Sequence, residues 1–360
     1  MTTYLLAGGG TAGHVNPLLA TADRLRDRDS DARILVLGTE EGIESRLVPL
    51  RGHELLTIPR LPLPRRLDGA ALRFPGRLAG TLSLTTRILR EQGVDVVVGF
   101  GGYVAAPAYL AARRLGLPIV VHEQNAKPGF ANRLGAWLTP HVGTTFASTR
   151  LRHGRLVGLP LRREIERLDR RAARTEAVEL FGLDPQRPLL LVTGGSIGAK
   201  RLNETIAATA ADLVVDGWDV LHITGSRAPV EDPGLPGYRI LEYCDRMELA
   251  IAASAFAVSR AGAATVSELA AVGVPAMLVP YAVGNGEQRF NAQDAVAAGG
   301  ALLVDDAAFT PELVRAELLP LLADEDRIRA MAAAMASTGS RDGADRTVDL
   351  VLQAAARAGR

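Results

Sequence analysis

The first half of the chain alternates short apolar runs with longer stretches in which apolar residues recur at helical spacing. The runs predict five strands, at residues 4–7, 33–37, 94–98, 119–121 and 141–144. The first of the intervening helices is predicted from Pro17 to about Arg28. Continuous apolar strands that alternate with helices are typical of a parallel sheet whose two faces are covered.

The second half repeats this plan. Its apolar runs predict six strands, at residues 189–193, 220–224, 239–241, 255–259, 276–279 and 301–304. Each half opens with a strand, a glycine-rich turn and a helix, and the helix of the second half is predicted from about Arg201. This weak symmetry predicts two doubly wound, Rossmann-like α/β domains, with a ligand cleft where the carboxyl ends of both sheets meet.

The domain boundary is expected near residues 158–163, where the sequence GLPLRR places a glycine and a proline before a charged helical stretch. We therefore predict a first domain over residues 1–160 and a second domain over residues 161–343. Residues 344–360 have a helical pattern after the last predicted strand. We expect this final helix to cross back onto the first domain.

Composition narrows the class of protein. The chain has 360 residues, of which 48% are hydrophobic and 22% charged, as in ordinary globular domains. Glycines and charges interrupt every apolar run before the roughly 18 residues of a membrane span, and the first residues lack a secretory signal. The single cysteine, Cys244, excludes a disulfide framework and a cysteine-based zinc site. These features predict a cytoplasmic protein.

The net charge of +1 conceals an asymmetry. Residues 1–160 carry 20 basic and 12 acidic residues, whereas residues 161–360 carry 21 and 28. Part of the basic excess lies in a segment of mixed arginines and apolar residues, with arginines at Arg60, Arg65, Arg66, Arg73 and Arg77. This segment is either a contact with an anionic bilayer or an ordinary loop whose arginines lie along a core helix. The charge bias favours membrane contact.

The first glycine turn, GGGTAGH, directly follows the first predicted strand. Gly8, Gly10 and Gly13 match the G-x-G-x-x-G pattern of dinucleotide-binding folds. More broadly, the turn offers backbone N–H groups at a helix N-terminus, where an anion or a sugar can approach. His14 lies outside the dinucleotide pattern. It is either a general base at the cleft or a histidine that only caps the turn, and we favour the base.

Two more polar clusters follow strands of the first half. GFGGY, at residues 99–103, is a second glycine turn. In HEQN, at residues 122–125, four polar side chains follow a strand, which is costly unless they bind a ligand or brace neighbouring loops. We expect His122 and Glu123 to brace loops and Asn125 to contact a ligand.

The second half contains two turns suited to an anionic ligand. GGSIGAK, at residues 194–200, has the backbone for a diphosphate, and Ser196 adds a hydroxyl donor. Its lysine spacing differs from that of a Walker A loop, which argues against ATP hydrolysis. SRAGAATVSE, at residues 259–268, also opens a helix after a strand. Its Glu268 either accepts hydrogen bonds from a diol such as ribose or only favours the helix dipole.

The remaining polar groups complete the candidates. In GNGEQRFN, Gln288 and Asn291 are positioned to contact sugar hydroxyls. Asp27, Asp29 and Asp31 match the D-x-D pattern of metal sites, but they lie at the amino ends of the strands, where a solvated charged turn is expected. We therefore predict no catalytic metal and no cofactor.

Taken together, seven motifs resemble one family. In chain order they are GGGTAGHVNP, GFGGYVAAP, HEQN, GLPLR, GGSIGAK, SRAGAATVSELAAVGVPAMLVPY and GNGEQRFNA. They are similar to MurG, the family of peptidoglycan glycosyltransferases with the GT-B fold. The resemblance implies two facing doubly wound domains. It also implies an inverting transfer of N-acetylglucosamine from UDP-GlcNAc to the C4 hydroxyl of undecaprenyl-diphospho-MurNAc-pentapeptide, lipid I, which gives lipid II.

The resemblance further implies partners and a location. The second domain would bind the donor and the first domain the lipid acceptor, in agreement with the charge asymmetry. The protein would be peripheral, at the cytoplasmic face of the cell membrane on its anionic inner leaflet. Cell-wall and division proteins would be its protein partners, and nucleic acid would not bind.

The resemblance carries roles to individual positions. Thr11, Ala12 and Gly13 would approach the sugar, and His14 would be the general base. The donor would be held by the positions Asn125 (sugar), Arg162 and Ser196 (diphosphate), Cys244 (backbone to uracil), Ala263, Ala264, Thr265, Val266 and Ser267 (helix N–H groups and the Thr265 hydroxyl), Glu268 (ribose) and Gln288 (sugar hydroxyls). Departures from the family pattern occur at Ala12, Leu159 and Cys244.

Other functions are open from the residues alone. A related GT-B enzyme acting on another glycolipid or an aglycone would share most of the motifs. An NAD(P)-dependent oxidoreductase would use the first glycine turn with Glu40 or Glu41, but it leaves GGSIGAK, Glu268 and Gln288 without roles. A noncatalytic UDP-sugar-binding protein would not need His14.

Overall fold

The computed structural model describes residues 1–62, 69–195, 199–281 and 286–358, without the side chains of residues 70, 71, 357 and 358. The chain forms two compact units. Unit 1 comprises Met1–Arg162 and Arg341–Arg360, and unit 2 comprises Arg163–Ser340. The break after Arg162 lies close to the boundary predicted at residue 160.

Unit 1 is built on a parallel sheet of seven strands in the order β3-β2-β1-β4-β5-β6-β7. Its strands are β1 (Thr3–Ala7), β2 (Arg33–Gly38), β3 (Glu54–Thr57), β4 (Val96–Gly99), β5 (Ile119–Glu123), β6 (Val142–Thr144) and β7 (Gly154–Leu156). The helices of its first segment are α1 (Ala12–Arg28), α2 (Glu44–Leu50), α3 (Gly69–Glu91), α4 (Ala105–Leu115) and α5 (Phe130–Leu138). Helix α1 begins before Pro17, which lies buried inside the helix, so the predicted start was wrong.

The strands of unit 1 separate two apolar layers. Because side chains alternate along a strand, Leu6 and Val98 face one layer, whereas Leu5 and Val97 face the other. The edge strands β3 and β7 are at least partly exposed along their length. They have no continuous apolar run, and the sequence did not predict them.

Unit 2 has a parallel sheet of six strands in the order β10-β9-β8-β11-β12-β13. Its strands are β8 (Leu189–Thr193), β9 (Asp219–Ile223), β10 (Tyr238–Leu241), β11 (Ser254–Ser259), β12 (Ala276–Leu278) and β13 (Ala301–Leu303). Its helices are α6 (Arg163–Glu166), α7 (Arg170–Phe181), α8 (Lys200–Ala208), α9 (Ala210–Val215), α10 (Met247–Ala253), α11 (Ala263–Val272), α12 (Glu287–Asn291), α13 (Gln293–Ala297), α14 (Pro311–Leu313), α15 (Leu319–Leu322) and α16 (Glu325–Ser337), with a 3₁₀ turn at Asp306–Ala308 and a π turn at Val314–Leu318. Each strand begins and ends within one residue of its predicted bounds.

The last helix, α17 (Gly343–Ala358), returns to unit 1. Val348 and Val351 join the apolar layer that also contains residues of α1. On the surface, Arg28 of α1 pairs with Asp349 at 2.9 Å. In the part of the chain that the structure describes, no helix is long and apolar enough to cross a bilayer.

Candidate active site

The first glycine turn lies between β1 and α1. Thr11 has an extended backbone, with φ −143° and ψ 154°, and immediately precedes the first residue of α1. Its Oγ1 lies 3.0 Å from Nδ1 of His14. If the imidazole donates from Nδ1 to this hydroxyl, Nε2 is the basic nitrogen. Thr11 is exposed and His14 half-buried, so the pair is within reach of a ligand.

The second glycine turn packs directly against the first. Gly101 and Gly102 have φ angles of +88° and +78°, which favour glycine. A Cβ built on Gly102 would lie 2.6 Å from the carbonyl oxygen of Gly9, and one on Gly101 would lie 3.3 Å from Nε2 of His14. The two turns that the sequence singled out therefore come together around the His14 ring.

The HEQN cluster braces the neighbouring loops, as expected for its first two residues. Glu123 accepts hydrogen bonds through Oε1 from the backbone N of Asn125 at 2.9 Å and through Oε2 from the backbone N of Gly129 at 3.0 Å. Nδ2 of Asn132 also donates to Oε2, at 3.0 Å. Glu123 is 1% exposed, and burial raises its pKa. The bracing prediction is confirmed, and Glu123 is poorly placed to act as a base on a ligand.

His122 fastens the segment that leads to the end of unit 1. Its ring Nε2 lies 2.9 Å from the carbonyl oxygen of Gly158, and burial lowers its pKa to about 4. This contact anchors the chain four residues before Arg162, which is half-buried. Asn125, for which we predicted a ligand contact, follows His122 and Glu123 in the chain and is also half-buried.

In unit 2, a turn after β11 opens α11. Gly262 has an extended backbone and has no side chain with which to cap the helix. Ala263 and Val266 lie on the buried side of the helix. The half-buried residues, which are accessible to a ligand, are Ala264, Thr265, Ser267 and Glu268. The N-terminus of a helix with no side-chain cap has backbone N–H groups that suit an anion, and α11 has such an N-terminus.

Arg260, which was not among the predicted site residues, braces this turn. Its Nη1 donates to the carbonyl oxygens of Val279 at 3.0 Å and Pro280 at 3.1 Å, and pairs with Asp306 at 2.6 Å. The guanidinium also lies over the Tyr281 ring, 5.4 Å from its centroid. In the sequence this brace is visible only as an arginine after an apolar run, which does not reveal its partners.

Both candidate amides of α12 contact backbone groups of the strand ends. Oε1 of Gln288 accepts a hydrogen bond from the backbone N of Tyr281 at 2.9 Å. Asn291 is buried and donates through Nδ2 to the carbonyl oxygen of Ala261 at 3.2 Å. Asn291 therefore supports the α11 turn, and the expectation that it contacts sugar hydroxyls was wrong. Gln288 is half-buried.

A basic pocket of about 670 Å³ lies beside the second-half glycine turn. Its charged lining comprises four cations and two carboxylates: Lys200, Arg201, Arg227, Arg260, Glu204 and Asp306. The excess of cations suits an anionic ligand. Ser196 lies outside the described residues. Cys244 is buried in the turn between β10 and α10.

The arginine-rich segment is only partly described, since Arg65 and Arg66 lie outside the described residues. The guanidinium of Arg60 lies 5.1 Å from the centroid of the Tyr103 ring, beside the second glycine turn. Arg73 and Arg77 are exposed at the start of α3, where Leu72 is 85% exposed. This end of α3 combines cations with an exposed apolar side chain.

Comparisons with known proteins place the chain in a family of transferases. Two models of glycosyltransferase family 28 match the chain, the N-terminal domain over residues 4–144 and the C-terminal domain over residues 189–347. The matched ranges fall in unit 1 and largely in unit 2, respectively.

Individual relatives are similar over nearly their full length. The UDP-N-acetylglucosamine–N-acetylmuramyl-(pentapeptide) pyrophosphoryl-undecaprenol N-acetylglucosamine transferase of Leifsonia xyli subsp. xyli is 62% identical over 351 residues, 98% of each chain. The protein of the same name from Streptomyces coelicolor is 53% identical over 99% of each chain. The crystal structure of Acinetobacter baumannii MurG matches with a TM-score of 0.81 at 27% identity, covering 98% of this chain and 100% of that one.

Proposed function

The chain belongs to glycosyltransferase family 28, and from that premise we propose that it transfers N-acetylglucosamine from UDP-N-acetylglucosamine to lipid I. The observation that carries this function is the 62% identity, over nearly the whole chain, to the Leifsonia transferase of that name. Membership of the family also confirms the resemblance that the motifs showed and sets aside the oxidoreductase alternative.

We infer that the two units divide the substrates between them. The α11 N-terminus and the basic pocket of unit 2 support a donor site, because both favour the diphosphate of a UDP-sugar. Glu268 and Gln288 are half-buried in the same unit, where they can accept hydrogen bonds from ribose and sugar hydroxyls. The paired glycine turns of unit 1, with His14 between them, support an acceptor site.

The proposed chemistry is a single displacement with inversion. The C4 hydroxyl of the muramoyl sugar attacks the anomeric carbon as the bond to UDP breaks. An alcohol is a weak nucleophile at neutral pH, so its proton must leave as the new bond forms. We assign this proton to Nε2 of His14, which the Thr11 hydroxyl orients through Nδ1.

The leaving group needs stabilisation of the charge that develops on UDP. Backbone N–H groups at the start of α11 and the Arg162 guanidinium are our candidates, together with Ser196. These groups supply the stabilisation without a metal ion. We therefore expect transfer to continue at an unchanged rate in EDTA.

Membrane contact is a further part of the proposal. We infer that the exposed start of α3, with Arg73, Arg77 and Leu72, rests on the anionic inner leaflet at the cytoplasmic face. A peripheral position there would bring the acceptor site to its lipid-linked substrate and to other cell-wall and division proteins. The arginines and the exposed leucine support this placement.

A transfer assay tests the function directly. Purified protein is incubated with labelled UDP-GlcNAc and a lipid I analogue, in parallel with UDP-GalNAc and UDP-glucose. We expect a lipid II analogue to form with UDP-GlcNAc at the highest rate. Transfer to an unrelated aglycone but not to the lipid I analogue would contradict the proposal.

A further inference from the structure

A carboxylate lies beneath the first glycine turn, and the proposed chemistry does not yet use it. Glu44 begins α2 and is 0% exposed. Its Oε2 accepts a hydrogen bond from the backbone N of Gly10 at 2.9 Å. Its Oε1 accepts two from Thr39, from the backbone N at 2.9 Å and from Oγ1 at 2.8 Å. The carboxylate therefore joins the turn after β1 to the turn after β2.

Three glycines leave the space that this side chain fills. A Cβ built on Gly9 or Gly42 would overlap the carboxylate itself, and one on Gly38 would lie 2.5 Å from Cγ of Glu44. Carbon atoms in good contact are roughly 3.5–4.0 Å apart, so no larger residue fits at these positions without a shift. The backbone of both turns is built around this one carboxylate.

Glu44 supplies a negative charge to the turn. Burial by itself raises the pKa of the carboxyl, but the hydrogen bonds from Gly10 and Thr39 outweigh burial and hold the pKa below its ordinary value. The group is therefore ionised at neutral pH. In nucleotide-binding folds, the corresponding turn at the first helix holds the phosphate of a ligand.

The Glu44 carboxylate with its hydrogen bonds to Gly10 and Thr39, here called the clamp, is connected to His14 by a short path. Gly10 precedes Thr11, whose carbonyl oxygen accepts a hydrogen bond from the backbone N of His14 at 3.1 Å. The Thr11 hydroxyl contacts Nδ1 of the same residue at 3.0 Å. A displacement of Gly10 would therefore move both the Thr11 hydroxyl and the His14 ring.

We propose that Glu44 is a positioning residue: its carboxylate occupies the anion position of the first glycine turn and holds Thr11 and His14 against the acceptor hydroxyl. The turn then meets the acceptor sugar through side chains and does not bind a diphosphate at the Gly10 N–H. This inference rests on the proposed function, because it assumes that His14 is the base.

The first test replaces the charge and keeps the size. In Glu44→Gln, the amide NH₂ faces backbone and hydroxyl donors, so the turn must shift. Since small misplacements of catalytic groups cost up to about a hundredfold, we expect kcat to fall by about tenfold to a hundredfold with the Kd for UDP unchanged within about twofold. Equal losses of kcat and UDP affinity, or an unchanged kcat, would overturn the proposal.

Asp95 provides a matched control, because it contacts the start of β1, whereas Glu44 contacts the turn that follows the end of β1. Its Oδ2 accepts a hydrogen bond from the backbone N of Thr3 at 2.8 Å, at the start of β1. Asp95→Asn is expected to lower the Tm while kcat stays within about twofold of the parent. If it lowers kcat as much as Glu44→Gln does, loss of stability explains both effects and the positioning role is wrong.

Chemical rescue gives a second, independent measurement. Glu44→Ala leaves a hole bordered by Gly9, Gly38 and Gly42 that has the size of a small carboxylate. Added formate should raise the kcat of this variant several-fold, whereas chloride at the same ionic strength should not. A folded variant that formate does not rescue would count against the proposal. If the variant does not fold, Glu44→Gln decides.

Hydrogen exchange separates this inference from the proposed function. We expect the Gly10 amide to exchange at least about tenfold more slowly in the parent than in Glu44→Gln, because the clamp protects it. If the parent transfers no N-acetylglucosamine, the proposed function fails, and the exchange rates still test the clamp. Equal exchange rates in the two proteins would disprove the clamp even in an active enzyme.

Discussion

The two units brace the carboxyl ends of their strands with opposite charges. In unit 1, Glu44 and Glu123 are buried carboxylates that accept hydrogen bonds from backbone N–H groups. In unit 2, Arg260 is a buried guanidinium that donates to the carbonyl oxygens of Val279 and Pro280. A carboxylate brace uses the donors of a turn, whereas a guanidinium brace uses acceptors and leaves donors to a ligand.

The same difference separates the turns that open α1 and α11. The turn that opens α1 already holds a carboxylate, because Glu44 accepts a hydrogen bond from the backbone N of Gly10. The second starts at Gly262, and the first turn of α11 contains no acidic residue. Similar strand–turn–helix units therefore differ in charge: a carboxylate already occupies the first turn, whereas the N–H groups of the second are the ones that we propose for a charged ligand.

The largest expected effect tests whether unit 1 supplies the chemistry. Proton removal by a placed base contributes roughly 10²–10⁴-fold, so His14→Ala should lower kcat at least about a hundredfold with UDP affinity nearly intact. Steady-state kinetics and calorimetry with UDP measure the two quantities. His153→Asn is the control, since His153 is exposed and has a φ of +59°, which asparagine tolerates.

Two results would break this half of the comparison. A His14→Ala enzyme that keeps most of its kcat would place the base elsewhere. A loss of UDP affinity equal to the loss of rate would make His14 a binding or folding residue.

The next effect tests whether unit 2 holds the donor. If Glu268 accepts hydrogen bonds from both ribose hydroxyls, Glu268→Ala should cost about 2–3 kcal/mol, or roughly 30- to 150-fold in the Kd for UDP. Glu325→Ala removes an exposed acidic residue from the first turn of α16 and should leave this Kd unchanged. An unchanged Kd in both variants would make Glu268 only a charge that favours its helix.

Acid should lower the stability of both units by the same mechanism, so in this respect the two units are alike. Burial lowers the pKa of His122 in unit 1 and of His222 in unit 2 to about 4, from the ordinary 6.5. Between pH 6.5 and pH 4 these two histidines bind protons in the unfolded chain but stay neutral in the native protein. The free energy of unfolding should therefore decrease as the pH is lowered, by up to about 1.4 kcal/mol per pH unit for each histidine.

Urea unfolding at several pH values measures this loss. His122→Gln should make the decline less steep in the transition of unit 1, while the transition of unit 2 keeps its slope. A parent protein whose stability is constant from pH 7 to pH 5 would contradict the prediction.

The smallest effect concerns the membrane contact of unit 1. Each basic residue near an anionic surface contributes about 1 kcal/mol, so neutralising Arg73 and Arg77 should weaken vesicle binding about fivefold for each arginine. UDP affinity should not change. The matched control neutralises Arg87 and Arg90, exposed residues farther along the same helix. Equal vesicle binding by both double variants would leave the start of α3 as ordinary surface.

The sequence predicts buried strands well because each one is a continuous apolar run. The strand β8, for example, has the predicted bounds of residues 189–193. The edge strands β3 and β7 were missed because they are partly or fully exposed and have no such run. Helix α1 was started too late because proline is common at the first position of a helix, whereas Pro17 lies within it.

The glycine turns were also predictable, since such turns have a recognisable pattern. The braces were not predictable. Glu44 contacts a turn that is 34 residues away along the chain, and Arg260 contacts the end of a strand that carries no recognisable motif. The trace of Glu44 in the sequence is indirect: Gly9 and Gly42 lack side chains because its carboxylate lies beside them. Asn291 resembled a sugar contact because an amide pattern alone does not distinguish a ligand from a neighbouring carbonyl oxygen.

The return of α17 to unit 1 has a consequence for biosynthesis. Unit 2 is an insertion between the two segments of unit 1, so its whole sequence leaves the ribosome before residues 341–360. During translation, unit 2 has all of its residues while unit 1 still lacks Val348 and Val351 from its core. Unit 1 thus starts before unit 2 and is completed after it, so its apolar layer stays incomplete for longer during synthesis, when exposed apolar surface favours aggregation.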